Sequence, residues 1–215
     1  MRLGRRVGIL ISGRGSNMTA LIDAARAPEY PAEIALVLSN RADAAGLVHA
    51  SAAGIPSAAI DHRKFPRDRA GHEAAIDAAL REAGVELVCL AGYMRLLTPF
   101  LVQRWAGKML NIHPSLLPAF PGLDTHASAL ATGVKLHGCT VHLVTETMDE
   151  GPILAQAAVP VLPGDTEAIL AARVLAQEHR IFPAALAAFI TGRAASVPNS
   201  ADALANPLPT WPGLP

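Results

Sequence analysis

The chain lacks net charge, has few aromatic residues and contains only two cysteines. Lys and Arg (18) balance Asp and Glu (18), and aromatics make up 4% of its 215 residues. This is an enzyme-like balance rather than that of a nucleic-acid binder, and no global field draws the chain to an acidic membrane. Any anionic substrate has to be held by local donors. Cys89 and Cys139 sit in apolar runs without metal-type spacing, which excludes a disulfide framework and points to buried thiols of a reducing compartment. Long hydrophobic runs are also missing. The basic residues 1–6 precede an apolar run of only 7–11, too short for a secretory core, and charges, Gly or Pro break every other run. The expectation is a soluble cytoplasmic protein with no membrane or nucleic-acid partner. Whether it is a monomer or a homodimer is left open.

What is present is an alternation of apolar runs and helical periods. Residues 6–12 read as a strand buried on both faces, 33–39 as a second buried strand, and 57–60, 86–91 and 109–112 as further strands. Between them, 18–26, 46–53, 69–83 and 98–105 carry helical spacing. Such alternation predicts an α/β fold: a Rossmann-like, mostly parallel sheet with helices on both faces. The pattern then changes. Residues 111–125 form a Pro-, Gly- and His-rich irregular stretch, and 137–145 and 152–161 read as an antiparallel strand pair. A long helical region, 166–190, follows, with Pro183 as a kink or restart, and residues 193–215 form a Pro-rich tail expected to be loosely packed. The domain expectation is one unit over 1–192, with an N-terminal phosphate-binding half (about 1–105) and a C-terminal catalytic half (about 106–192).

The first strand runs into a glycine loop, residues 12–17 (SGRGSN). Glycines let backbone amides approach an anion, and the following helix N-terminus adds partial positive charge. Tight βα turns need glycine for steric reasons too, so both readings stand. The third small residue of a dinucleotide fingerprint is absent, because Met18 occupies it. The second strand ends in Ser39, Asn40 and Arg41 without the acid that binds a ribose diol. NAD is disfavoured, NADP rests only on Arg41, and the Lys-Ser/Thr of a triphosphate loop is missing. A site for one phosphate group remains.

In residues 110–118 (LNIHPSLLP), Asn111 and His113 lie two apart at the C-terminal end of a predicted strand. Alternation puts both on one face, and strand ends are where open α/β sheets bind ligands. An amide can donate to a developing oxyanion, and an imidazole can supply a proton near neutral pH. The pair suits attack on a carbonyl by a substrate group; the plainer alternative is a strand-end Asn and His satisfying backbone groups. His113, His126, His137 and His142 lack zinc-type spacing, so no metal is expected. Asp149 falls in a turn where Asp is favoured for backbone reasons alone, although a carboxylate beside a histidine would orient its ring.

Together these segments resemble the phosphoribosylglycinamide formyltransferase family. The matching blocks are 11–17 (ISGRGSN), 91–97 (AGYMRLL), 110–118, 121–126 (PGLDTH), 137–142 (HGCTVH), 149–152 (DEGP) and 177–179 (QEH), in the family order. The resemblance implies the formyltransferase fold, with 10-formyltetrahydrofolate as cosubstrate and glycinamide ribonucleotide as acceptor. It implies that Asn111, His113 and Asp149 form the catalytic group, and that Gly15, Ser16 and Asn17 bind the phosphate while Glu178 holds the ribose. It further implies that folate lies against Met94, Arg95, Leu96 and Leu97, Asn111, and Thr145, Glu146, Thr147, Met148 and Asp149. The resemblance also matches Arg69 to the arginine that meets the folate glutamate, with Arg67 as the alternative. Departures from the family pattern are Glu150 in place of Gly, Asp124, and Ser128 in place of a longer polar residue.

The resemblance also implies direct amine attack through a tetrahedral intermediate, in de novo purine synthesis. Methionyl-tRNA formyltransferase shares the 110–118 block but usually adds an RNA-binding domain. Formyltetrahydrofolate hydrolase usually adds a regulatory domain ahead of this region. A non-catalytic nucleotide-binding module is the alternative of a different class.

Overall fold

A computed structural model describes residues 4–192 and the backbone of a two-residue strand at Leu204–Ala205. The chain divides into two compact units, Met1–Asn111 with Val144–Glu146, and Ile112–Leu143 with Thr147–Pro215.

The first unit alternates strand and helix. Its elements are β1 (Arg5–Ile11), α1 (Ser16–Ala25), β2 (Ala32–Ser39), α2 (Ala45–Ala52), β3 (Ser57–Ala59), α3 (Arg69–Glu82), β4 (Leu87–Leu90), α4 (Pro99–Arg104) and β5 (Met109–His113). The last two residues of β5 belong to the second unit. These strands are parallel, in the order β3-β2-β1-β4-β5. The chain moves outward from β1 to β3, then returns to β4 on the other side of β1. That reversal leaves a crevice beyond the C-terminal ends of β1 and β4.

Alternation along the strands explains the two covered faces. Leu10, Leu38, Val88 and Leu90 pack with Ile76 and Leu80 of α3, with Leu101 of α4 and with Trp105 just past its end. Ile9, Ile11 and Val37 turn the other way, where a Cβ added at Gly46 of α2 would run into Ile11. Two buried acids tie α3 to α4. The Glu73 carboxylate accepts the Thr98 backbone N–H at 2.7 Å, at the start of α4. Asp77 accepts from Trp105 Nε1 at 3.1 Å and pairs with Arg81 and Arg104 at 3.0 and 3.3 Å.

The second unit holds α5 (Thr125–Thr132), β6 (Leu136–Leu143), β7 (Ile153–Pro160) and α6 (Glu167–Thr191). β6 and β7 are antiparallel, as their patterning predicts, and α6 packs on both. A short β8, Leu204–Ala205, pairs antiparallel with β7. The rest of the expected tail, residues 193–215, lies outside the described residues. The fold is therefore α/β and mostly parallel, with antiparallel C-terminal strands and a long C-terminal helix.

One helix was not expected, and of the kink or restart expected at Pro183 the restart does not occur. α5 has no apolar period in sequence, yet it forms between Asp124 and Gly133, both in left-handed conformation, at φ 55° and 74°. Pro183 neither ends nor restarts α6, which runs through it as one helix. Proline removes one backbone bond, but Phe182, Ala185, Leu186 and Phe189 around it are buried, and such packing outweighs a local defect. Among the described residues no helix is long and apolar enough to cross a membrane.

Two glycines test the packing of the two units. A Cβ at Gly8 would press on the end of Leu80, a flexible side chain, whereas a Cβ at Gly138 in β6 would collide with the Ala157 carbonyl of β7. Gly8→Ala should therefore cost about 1–3 kcal/mol, the usual range for overpacking. Gly138→Ala should lower Tm further, because backbone cannot rotate away. Calorimetry on both variants checks the order, and the reverse order would contradict the packing described.

Candidate active site

Two constellations stand out, one in each unit. In the first, the turn after β1 places Gly15 at the N-cap of α1 with φ 75°. Only glycine adopts this readily, and a Cβ there would also come within 3.1 Å of the Gly46 Cα. The turn lines a cavity of about 410 Å³ at the strand-order reversal. Gly15, Ser16 and Asn17 contribute to it, as do Met94 and Arg95 from the segment after β4. Ser12 knits the rim together. Its hydroxyl accepts the Met94 N–H at 2.8 Å and donates to Asn40 Oδ1 at 2.6 Å, while its own N–H reaches the Gly92 carbonyl at 3.1 Å. Three βα segments are thus held in one arrangement.

Of the other expected residues of this unit, Arg41 also lines the cavity and the rest lie elsewhere. Arg69 opens α3 on the surface, and Leu96 and Leu97 are not among the cavity-lining residues. Glu146 accepts from Gln103 Nε2 at 2.7 Å. Thr145 is exposed. Arg41, the basis of the NADP reading, grips Asp43 with two nitrogens at 3.1 and 2.7 Å, so its fork is engaged within its own loop.

The second constellation surrounds Asp149. The strand β5 carries Asn111 and His113 two residues apart. The His113 ring is buried, with Nδ1 3.5 Å from Asp149 Oδ2 and Nε2 3.0 Å from the Phe120 carbonyl. Both ring nitrogens face oxygens that can only accept. Asp149 itself has φ 58° and accepts the Gly122 N–H on Oδ2 at 2.8 Å. His142 Nε2 lies 3.8 Å from Oδ1 of the same carboxylate. His142 Nδ1 is 2.9 Å from the Leu143 carbonyl, which fixes the proton on Nδ1. Burial lowers the pKa of His142, favouring the neutral ring.

The irregular 114–125 segment is held by a buried polar network that sequence reading does not reveal. Thr140 Oγ1 donates to the Ser115 carbonyl at 2.7 Å and accepts the Leu117 N–H at 3.0 Å. Gln156 Nε2 reaches the Leu117 carbonyl at 2.8 Å, and Thr125 Oγ1 reaches the Pro114 carbonyl at 2.7 Å. Nothing in the local pattern marks Gln156 or Thr140. His142 is the other omission, since the sequence considered it only as a metal ligand, and a register shift between Val141 and His142 breaks the simple alternation along β6. Among the described residues, no group of three or more His, Cys, Asp or Glu is arranged to hold a metal ion. Thr147 and Met148 are exposed beside Asp149 in the second unit, and Glu178 is buried on α6 there.

Residues 5–186 match the formyl transferase family. The chain is 45% identical over 189 residues to phosphoribosylglycinamide formyltransferase of Haemophilus influenzae, covering 88% of this chain and 89% of that protein. The chain belongs to the phosphoribosylglycinamide formyltransferase family. A solved structure of the family member from Brucella melitensis superposes with a TM-score of 0.82 at 59% identity, covering 86% of this chain and 94% of the other. The human trifunctional purine biosynthetic protein adenosine-3 is 53% identical over 187 residues, 87% of this chain, and the chain spans 18% of its length.

Near this family site a histidine pair, His137 buried and His126 half-buried, sets a pH limit. His126 Nδ1 and His137 Nε2 are 3.2 Å apart. Burial first, then His126 and His113 nearby, pull the pKa of His137 down to about 4, and burial lowers His126 as well. A base whose folded pKa is depressed binds more protons when unfolded, so stability rises with pH through this window. Stability should therefore be intact above the unfolded histidine value of about 6.5 and drain away as pH falls towards 4. Calorimetric scans at about pH 7.5 and about pH 5 should show Tm several degrees lower in acid. His137→Gln should flatten that difference, and an unchanged difference would remove His137 as its source.

Proposed function

We propose that the chain transfers the formyl group of 10-formyltetrahydrofolate to the amine of glycinamide ribonucleotide, releasing formylated ribonucleotide and tetrahydrofolate. The observation that carries this reading is the His113–Asp149 contact on a strand that also bears Asn111. Neither Asn nor His here is placed as a protein nucleophile, so the arrangement favours attack by a substrate amine on a bound carbonyl.

In this reading the folate supplies the formyl carbon at the end of β5. Exposed apolar side chains suit a flat heteroaromatic ring: Met94 and Leu96 are 65% and 57% exposed, and Met148 is 51% exposed. With them go Leu97, Thr145, Glu146 and Thr147, and Arg95 and Arg69 are the cations for the cosubstrate's carboxylates. Gly15, Ser16 and Asn17 hold the ribonucleotide phosphate, and Glu178 accepts from its ribose hydroxyls.

The chain's own groups then act in order. Asn111 donates its amide hydrogen to the formyl oxygen as charge develops there. His113, in the doubly protonated form that both facing acceptors would satisfy, exchanges its Nε2 hydrogen bond from the Phe120 carbonyl to that oxygen. Asp149, fixed by Gly122, keeps the ring aimed and relays the amine proton towards the departing folate nitrogen. The phosphate anchor supplies orientation, converting attack into an effectively intramolecular step.

Loss of one such donor costs on the order of 3 kcal/mol in the transition state. Asn111→Ala and His113→Ala should reduce kcat by at least ~100-fold while substrate binding persists, as read by steady-state kinetics beside direct binding measurements. Near-normal turnover in either would sink the assignment. Gly15→Val should raise KM for the ribonucleotide much more than KM for the folate, and equal rises would argue against a separate phosphate site. Folate absorbance followed with and without the ribonucleotide separates transfer from hydrolysis, which would proceed without the acceptor.

A further inference from the structure

The glycine-loop cavity has a side chain that the family resemblance does not bring in. His62, on the turn following β3, lines the same cavity as Gly15, Ser16 and Asn17. Its ring is held from behind. Nδ1 lies 2.7 Å from the Asn40 backbone carbonyl and 3.3 Å from Asn40 Nδ2. The two contacts demand opposite tautomers, since a carbonyl accepts and an amide N–H donates. The shorter one decides, because two lone pairs facing each other at that distance would repel strongly. Nδ1 therefore carries hydrogen. Ser12 donates to Asn40 Oδ1 at 2.6 Å, which suits the amide orientation with Nδ2 towards His62.

The consequence is chemical. With Nδ1 committed to Asn40, a neutral His62 has a bare lone pair on Nε2, the nitrogen left for the cavity. A lone pair repels a phosphate oxygen, whereas an Nε2–H donates to it. We infer that His62 is a phosphate-binding residue of this cavity, and that a proton on its Nε2 is taken up together with the phosphate. This rests on the reading that the glycine loop binds the ribonucleotide phosphate.

The surrounding charges leave the role to His62. The Asp61 carboxylate is engaged by the Arg63 backbone N–H at 2.9 Å and by Arg63 Nη2 at 2.6 Å. Arg41 is engaged by Asp43 at 2.7 Å. Arg14 and Arg95 line the same cavity and add attraction for an anion at every working pH. His72, whose pKa is lowered by burial, turns its Nε2 to the Ile60 carbonyl at 2.8 Å. Of these groups His62 is the one imidazole that lines the cavity.

The test is calorimetric titration of the full chain with inorganic phosphate at about pH 8, in two buffers of different ionisation heat, which reports proton uptake. The wild type should take up a fraction of a proton on binding. His62→Gln, which keeps a donor but cannot titrate, should bind with no net uptake, and His62→Ala should bind about tenfold more weakly. Uptake that persists unchanged in His62→Gln would place the proton on the phosphate and overturn the inference. Binding abolished by Gly15→Val but unaltered in both His62 variants would overturn it while leaving the glycine-loop reading intact. No binding by the wild type would overturn both.

Discussion

The Asp149 carboxylate is the contact around which the second unit's candidate site is arranged. One oxygen takes the Gly122 N–H and faces His113 Nδ1, and the other faces His142. A buried carboxylate needs donors such as the Gly122 N–H and His113 Nδ1, because an unpaired charge away from water is costly. It obtains them only because Asp149 adopts φ 58°, a conformation seldom open to non-glycine residues. The turn preference of Asp and the needs of the site thus coincide in one residue. The 114–125 segment supplies Gly122 and Phe120, so its anchoring through Thr140, Gln156 and Ser115 bears directly on how His113 is aimed.

The first unit solves a different problem by different means. Its cavity lies at a reversal of strand order, where adjacent loops diverge and leave space. No side chain there carries reactive chemistry. Backbone amides, a helix N-terminus and the Ser12–Asn40–His62 chain of contacts line the cavity, and in the proposed reading they hold one anionic group. This division fits the proposed reaction, in which binding energy gathered at a phosphate is used to orient an amine.

Much of this was legible beforehand where local rules dominate. Four of the five parallel strands follow from apolar runs that are buried, β3 being a short, largely exposed edge strand, and Gly15 follows from a turn that no side chain fits. The α5 helix was not legible, because its Ala-, Ser- and Thr-rich segment has no apolar stripe and its ends rest on left-handed residues. The continuity of α6 through Pro183 was not legible either. A proline's local cost is visible in sequence, but the burial of Phe182 and Phe189 that outweighs it is not.

By itself, the sequence determined the α/β class, the glycine turn and the pairing of Asn111 with His113 on one strand. Each depends on residues close together in the chain and on the fixed period of a strand or turn. Tertiary structure alone decided that Asp149 meets His113, that His142 joins them, and that His62 lines the glycine-loop cavity. Those contacts join residues 36, 7 and about 50 positions apart, across loops whose paths follow from burial and hydrogen bonding and which no local period records.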